Sequence, residues 1–300
     1  MNSEFEFQQL NAFIAVARHG NFTRAANEMN TSQPTLSRLI LKLEEQIGRP
    51  LFERKPRGVD LTEAGDLLLE RSKEILRMLD DSFSELSESA TKGRIRLGAI
   101  PTIAPFYLPH ILRSFSELHP GVTISIVEDT TDNLVKSCNN GELDIVILAL
   151  PTDVKYLTVT PLFDEELMLV MQQGHELASQ DEIKLDELDH YPFLMLSPAH
   201  CLSEHITSFC RLKSIAPVSI QNTSQLATVQ ELVALGHGIS MIPAMARNLD
   251  KSELRIYKSI SGSPPTRTIA MLENPYRYQS HWLKVFKQYL QEQGEVKQLK

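Results

Sequence analysis

The chain has 300 residues, 42% of them apolar and 23% charged, with 30 basic against 38 acidic side chains and a net charge of −8. That length allows two or three domains, each with its own core, and no apolar run approaches the length of a membrane span. An acidic chain is a poor nucleic-acid binder taken whole, and three cysteines in 300 residues build no structural disulfide framework.

The charge is unevenly spread. Residues 1–60 carry 8 basic and 7 acidic side chains, so the surplus of acid lies beyond them, and 18–57 holds 8 basic against 4 acidic residues. The segment MNSEFEFQQL lacks the basic, apolar and small-residue order of a signal peptide, so a cytoplasmic protein with reduced thiols is expected.

Phe5 to Ala17 reads as a first helix with Leu10, Phe13, Ile14 and Ala17 on one stripe, ended by His19-Gly20-Asn21. Thr23 is expected to cap a short second helix through Met29. Asn30-Thr31 turns the chain, and Ser32 caps a third helix with Pro34 in its first turn and an apolar stripe of Leu36, Leu39, Ile40, Leu43 and Ile47, closed by Gly48. This is the pattern of a helix-turn-helix. Ser32, Gln33, Pro34, Thr35, Ser37 and Arg38 occupy its first turns off the apolar stripe, where such side chains can meet base edges and phosphates of double-stranded DNA. PLFERKPRGVDLTEAG then reads as a two-stranded wing whose basic turn brings Arg54, Lys55 and Arg57 to the backbone.

The run FTRAANEMNTSQPTLSRLILKLEEQIGRPLFERKPRGVDLTEAG resembles the winged helix-turn-helix of the LysR-type transcriptional regulators over some 45 residues. Thr62 begins a long helix to about Ser89, with Leu68, Ile75, Leu79, Phe83 and Leu86 on one stripe. A helix charged elsewhere needs a partner for that stripe, and the resemblance implies that it pairs two chains.

Beyond Thr91-Lys92-Gly93 the pattern changes. RIRLGAI, VTISIVED and LDIVILAL read as buried strands separated by helices, a β-α-β-α-β unit with a parallel sheet. A second unit follows with FLMLS, a helix near 202–213, VSIQN, a helix in TSQLATVQELVALG and ISMIP. RTIAML is a late strand and the final helix begins near Ser280. The expected fold is therefore α/β with an all-α N-terminal part. It comprises a winged helix-turn-helix domain at 1–61, a linker and dimerisation helix at 62–91, and a two-lobed α/β effector domain at 92–300. Lobe I spans about 92–164 and 267–300, lobe II about 165–266. This effector domain resembles the periplasmic-binding-protein-like one of the same family, with a cleft between its lobes at the carboxyl ends of strands. No Walker loop, GxGxxG, HExxH or GxSxG motif appears, and neither an enzyme nor a cofactor is expected.

SPAHCLSEHITSFC holds two of the three cysteines, Cys201 and Cys210. The spacing of Cys201, His205, Cys210 and His200 fits no usual zinc pattern, so no metal is expected. Two inert packing cysteines remain one reading. The other is a redox pair, with the thiol of Cys201 acidified by partial exposure near a helix start and by His200, and a sulfenic acid that condenses with a second thiol. Nine helical residues hold the two about 13 Å apart, whereas a disulfide needs Cα atoms within roughly 7 Å. Bridging them requires the helix to unwind, which makes the segment a candidate switch.

HCLSEHITSFC is similar to the redox segment of the hydrogen-peroxide-sensing (OxyR) branch of the LysR-type regulators, and GAIPTIAPFYLPHIL, LDIVILAL, PLFDEELML, ELVALGHGISMIP and RTIAML resemble its other segments, so the likeness covers nearly the whole chain. It implies Cys201 as the peroxidatic and Cys210 as the resolving cysteine. Thr102, Thr131 (with Thr130 as rival), His200 and Arg267 would bind peroxide and water. A homodimer assembling to a homotetramer, partnership with RNA polymerase, and a thiol reductant for reset are implied in the same way. Cys138 has no place in the resemblance and reads as packing. His205 either meets solvent or tunes the thiols. Two other functions stay in view: a LysR-type regulator whose cleft takes a small organic anion, and a thiol peroxidase.

Overall fold

The structure, a computed structural model, describes residues 6–55, 58–87, 92–198, 200–212, 218–223 and 225–298. The chain divides into two compact units, Met1–Leu86 and Ser87–Lys300.

In the first unit, α1 (Phe7–His19) ends at Gly20, whose φ of 58° is the left-handed turn that glycine adopts without penalty. Its buried side is wider than the expected stripe: Leu10 and Phe13 are joined by Ala12, Ala15, Val16 and the polar Gln9, while Ile14 and Ala17 are half-buried. The second helix, α2 (Phe22–Glu28), is capped by Asn21 and not by Thr23; Asn21 Oδ1 accepts from the backbone N–H groups of Thr23 and Arg24. An asparagine two residues earlier reaches both orphan donors at once, which the threonine inside the first turn cannot do. Helix α3 (Gln33–Ile47) begins as expected at Ser32, whose Oγ accepts from Thr35 N at 3.3 Å, and closes at Gly48 with φ 76°. Leu36, Ile40 and Leu43 bury against α1 and α2.

Strands β1 (Phe52–Lys55) and β2 (Gly58–Leu61) form the antiparallel wing. Glu44 of α3 fixes its root, since one carboxylate oxygen accepts from the N–H groups of Leu51 and Phe52. Phe52 packs on Phe13 and Phe22 with centroids 5.3 and 5.9 Å apart. Helix α4 (Glu63–Ser87) follows, with Thr62 Oγ1 accepting from Gly65 N. Of its apolar stripe, Leu68 packs on the core of this unit, while Ile75, Phe83 and Leu86 remain exposed.

The second unit is built on one long strand. The parallel strands β3 (Gly93–Ala99), β4 (Val122–Glu128) and β5 (Ile145–Leu150) alternate with α5 (Ala104–Leu118) and α6 (Thr131–Asn139). Strand β6 (Thr158–Gln172), absent from the expectations, then runs fifteen residues. Its first half pairs with β11 (Thr266–Glu273), which in turn pairs with β5. Its second half pairs on one side with β9 (Ser240–Pro243) and on the other with β10 (Arg255–Lys258). Strand β7 (Pro192–Leu196) lies parallel to β8 (Val218–Thr223) and touches β9 through a bridge between Phe193 and Ile239. Lobe I thus has the order β4-β3-β5-β11-β6, and lobe II the order β10-β6-β9-β7-β8, with β6 common to both.

Each lobe has its own core. Ile145 to Ala149 of β5 are all fully buried, the continuous apolar run of a strand covered on both faces. Helices α5 and α10 (His281–Gln298) pack together through Phe115 and Phe286, whose rings stand 4.8 Å apart. Lobe II closes over Leu169, Met171, Phe193, Leu194, Ile239 and Met241 with α7 (Cys201–Leu212), α8 (Leu226–Ala234) and α9 (Ala244–Leu249) around them.

The seat of β2 against the end of α1 depends on one glycine. A Cβ on Gly58, whose φ is 152°, would stand 2.4 Å from the carbonyl oxygen of Gly20, the atom that accepts from Val59 N at 2.9 Å. Gly58→Ala is expected to destabilise the first unit by about 1–3 kcal/mol. Denaturant unfolding followed by helical circular dichroism should show an earlier first transition. The fluorescence of Trp282, the single tryptophan and part of the other unit, should keep its midpoint.

Candidate functional site

The site lies where the chain crosses between lobes. On β11 and β6, Arg267 and Glu165 are register partners, and both side chains are buried. The guanidinium donates from Nε to Glu165 Oε2 at 2.9 Å, with Nη2 at 2.8 Å from the same oxygen. Its Nη1 donates to Thr102 Oγ1 at 2.8 Å and its Nη2 to the Thr102 carbonyl at 3.1 Å. Glu165 Oε1 accepts from Met245 N, at the start of α9, at 2.8 Å. All three guanidinium nitrogens and both carboxylate oxygens are engaged, the condition under which a buried ion pair is tolerated.

Cys201 is the first residue of α7 and packs against the core of lobe I. With Ile100, Pro101, Thr102, Thr130, Thr131 and His200 it lines a narrow pocket. Burial pushes its thiol pKa up; against that act the positive charge of Arg267, the Thr131 hydroxyl and the N–H groups of Cys201 and Leu202 at the helix start. Burial wins, so the acidification expected from a partly exposed helix start is corrected: the helix end does favour the thiolate, but the lobe I core covers the sulfur. The Thr131 hydroxyl lies near Sγ outside a formed hydrogen bond, and its Oγ1 is buried without a partner.

Thr102, Thr131, His200, Arg267 and Cys201 are thus gathered around one pocket, with Thr130 on its wall. Cys210 is not among them. It is 2% exposed within the core of lobe II, and burial together with the Asp189 carboxylate pushes its thiol up to about 11. Helix α7 runs unbroken from Cys201 to Leu212, so helical rise keeps the two cysteines about 13 Å apart. All three cysteines are free, and burial pushes Cys138, fully enclosed in lobe I, up to about 12. Among the described residues no cluster of three metal-ligating side chains exists.

In the first unit Gln33, Pro34, Thr35 and Arg38 are exposed along the start of α3, and Ser37 is half-buried. Ser32 and Thr35 bond to one another, hydroxyl to hydroxyl at 2.7 Å, so both belong to the cap as well as to the surface. Arg54 lies in β1, while Arg57 and the wing turn lie outside the described residues.

Sequence reasoning missed Glu165. The signal was available: Phe163, Glu165, Leu167 and Leu169 alternate on the buried face of β6, and a carboxylate at an inward position needs a cationic partner.

Residues 7–66 match the family model of the bacterial regulatory helix-turn-helix protein, lysR family, and residues 88–295 match that of the LysR substrate binding domain. The chain belongs to the LysR family of regulators. Over 272 residues, 89% of each chain, it is 33% identical to the DNA-binding transcriptional dual regulator OxyR of Escherichia coli (strain K12). It is 32% identical over 268 residues to a probable hydrogen peroxide-inducible genes activator of Mycobacterium avium, covering 88% of this chain and 86% of that one. Full-length OxyR from Pseudomonas aeruginosa, solved as a cysteine-to-aspartate variant, aligns with a TM-score of 0.78 at 25% identity over 96% of this chain and 95% of that one. A DNA-bound LysR-type regulator, CbnR, shares the fold with a TM-score of 0.74 at 23% identity, over 96% of this chain and 99% of that one.

Two predictions follow from the site's electrostatics. Glu165→Gln keeps the shape of the side chain but leaves a buried guanidinium without its counter-charge; a loss of about 3–5 kcal/mol is expected in the Trp282-reported unfolding of the second unit. In the reduced protein, the iodoacetamide alkylation rate of Cys201 should still be climbing at pH 9, because its thiol lies above the ordinary value. A plateau near neutral pH would show that the thiolate is stabilised more strongly than burial opposes it.

Proposed function

We propose that this protein is a DNA-binding transcriptional regulator that senses hydrogen peroxide through Cys201, forms a Cys201–Cys210 disulfide, and so controls antioxidant genes. The observation that carries this reading is the convergence of Thr102, Thr131, His200 and Arg267 around Cys201, the one cysteine that is not fully buried. The kinship with hydrogen peroxide-inducible activators supports it, as does the likeness to a solved hydrogen peroxide-bound OxyR mutant from Corynebacterium glutamicum, with a TM-score of 0.65 at 28% identity over the whole of this chain and 95% of that one.

The chemistry runs in two steps. The Cys201 thiolate attacks one peroxide oxygen; the S–O bond forms, the O–O bond breaks, and the departing oxygen leaves as hydroxide to be protonated to water. Thr102, Thr131 and the Arg267 guanidinium suit the role of orienting the peroxide and favouring the charge on the leaving oxygen. The Cys201 sulfenic acid then meets the Cys210 thiol; an S–S bond forms, the S–O bond breaks, and water departs. The two thiols lose two electrons, which reduce the peroxide.

The second step requires α7 to unwind, because a separation of about 13 Å must fall below roughly 7 Å. Unwinding also takes Cys210 out of the core that holds it protonated, restoring ordinary thiol acidity. A covalent bond thereby selects between two packings of the effector domain. The exposed stripe of α4 supplies a surface for pairing chains within a dimer and tetramer, and the α3 starts of a dimer would sit on two half-sites of DNA. A thiol reductant resets the pair, and contact with RNA polymerase transmits the change. An organic anion in the interlobe cleft finds less support, since Arg267 is committed to Glu165 and Thr102 within the protein.

The test is mass spectrometry of the reduced protein after one equivalent of hydrogen peroxide, with free thiols alkylated. A crosslinked peptide joining Cys201 to Cys210, with Cys138 still alkylated, is the expected product. Three alkylated thiols would sink the reading.

A further inference from the structure

His205 lies four residues beyond Cys201 on α7, so the two side chains share one face of the helix, the face turned to lobe I. Its ring faces the backbone of Leu150, the last residue of β5, which favours the charged form. The ring's Nδ1 is buried without a hydrogen-bond partner. A basic nitrogen is thus enclosed at the interlobe contact of the segment that must unwind for the two cysteines to meet.

The groups around the ring oppose its protonation. From β11, Arg267 sets a positive charge against it. The counter-charge of that arginine, Glu165 of β6, is committed to the guanidinium and to Met245 N. The β5 contact is the Leu150 backbone, Cys201 on its own helix is held as a thiol, and Glu204 beside it is exposed. Burial first and Arg267 second push the imidazole down to about 4. Release of α7 into water would return it to an ordinary value of about 6.5.

We propose that His205 is a further residue of the redox site, taking up one proton from solvent when the Cys201–Cys210 disulfide forms, so that mild acid favours the oxidised state. The inference rests on the disulfide reading above. Oxidation of two thiols by peroxide gives a disulfide and two waters with no net proton change; the proton bound by His205 is additional. The sign follows from linkage: where the oxidised form binds more protons, lowering the pH drives the equilibrium toward it. Between about pH 4 and 6.5 the effect approaches tenfold per pH unit, the limit for one proton.

The experiment equilibrates the full-length protein in dithiothreitol redox buffers at pH 7.5 and 5.5, approached from both the reduced and the oxidised side, and reads the disulfide by alkylation and mass spectrometry. Protein and reagent each exchange two thiol protons, so these cancel and the contribution of His205 remains. The equilibrium constant for the disulfide is expected to rise about tenfold from pH 7.5 to 5.5 in the native sequence. It should stay within about twofold in His205→Leu and in His205→Gln, which do not titrate; the glutamine variant serves if leucine disturbs folding. An equal rise in the variants, or none in the native protein, overturns the role of His205 while leaving the disulfide intact. Absence of the Cys201–Cys210 disulfide in every buffer removes the parent reading, and this inference with it.

Discussion

The effector unit is organised around one buried ion pair. Arg267 and Glu165 face each other on β11 and β6 at the point where β6 passes from one lobe to the other. Through Thr102 the pair holds the turn before α5, and through Met245 N it holds the start of α9. Four segments from two lobes are thus tied to a contact that buries two charges. Such a pair adds little net stability against an apolar replacement, but breaking it strands a charge in the interior. Its value lies in specificity: only one register of β6 on β11 brings both charges together, and a slip of β6 by one residue would turn Glu165 to the opposite face and leave Arg267 without it.

The same pair sets the electrostatics at Cys201. A guanidinium fixed by Glu165 and Thr102 cannot swing away, so its field on the sulfur is constant. It is opposed by the lobe I core that covers the thiol, and the helix start and Thr131 add to the cationic side. The outcome is a thiol held protonated at rest, with the groups that favour the thiolate already in place. Any rearrangement that lifts the apolar cover while leaving β11 where it is tips the balance toward the thiolate.

Much of the fold was legible because it is periodic. The strands of lobe I are short apolar runs between turn residues, and the third helix announces itself through Ser32, Pro34 and Gly48. Strand β6 was not legible, because Pro161 and the run Asp164-Glu165-Glu166 interrupt its apolar sequence, and its two halves answer to different sheets. The cap of α2 was misplaced by two residues because Asn21 and Thr23 are both good capping types, and only the backbone path selects between them. At the site, the residue types around Cys201 could be named from resemblance, but the direction of its acidity could not. That depends on how closely the lobe I core covers the sulfur, a long-range packing fact with no local signature. His205 reads as an ordinary helical histidine until the structure shows its Nδ1 buried and bare.

Under the proposed mechanism, placing the two cysteines in different cores is what would make the segment a switch instead of a tether. Cys201 belongs to the packing of lobe I and Cys210 to that of lobe II, with Leu202 and Ile206 between them at 1% and 2% exposure. Unwinding α7 far enough to join the sulfurs withdraws these side chains from close-packed surroundings, at about 1.5–3 kcal/mol for each large aliphatic one. Close-packed interiors do not deform by degrees, so the proposed switch would have two packings and little between them. In the reduced protein the apolar contacts hold the helix. In the proposed cycle, once the sulfenic acid formed, the gain of a covalent bond would lie on the far side of the unwinding, and the helix that keeps the thiols apart would become the element whose loss records the oxidation.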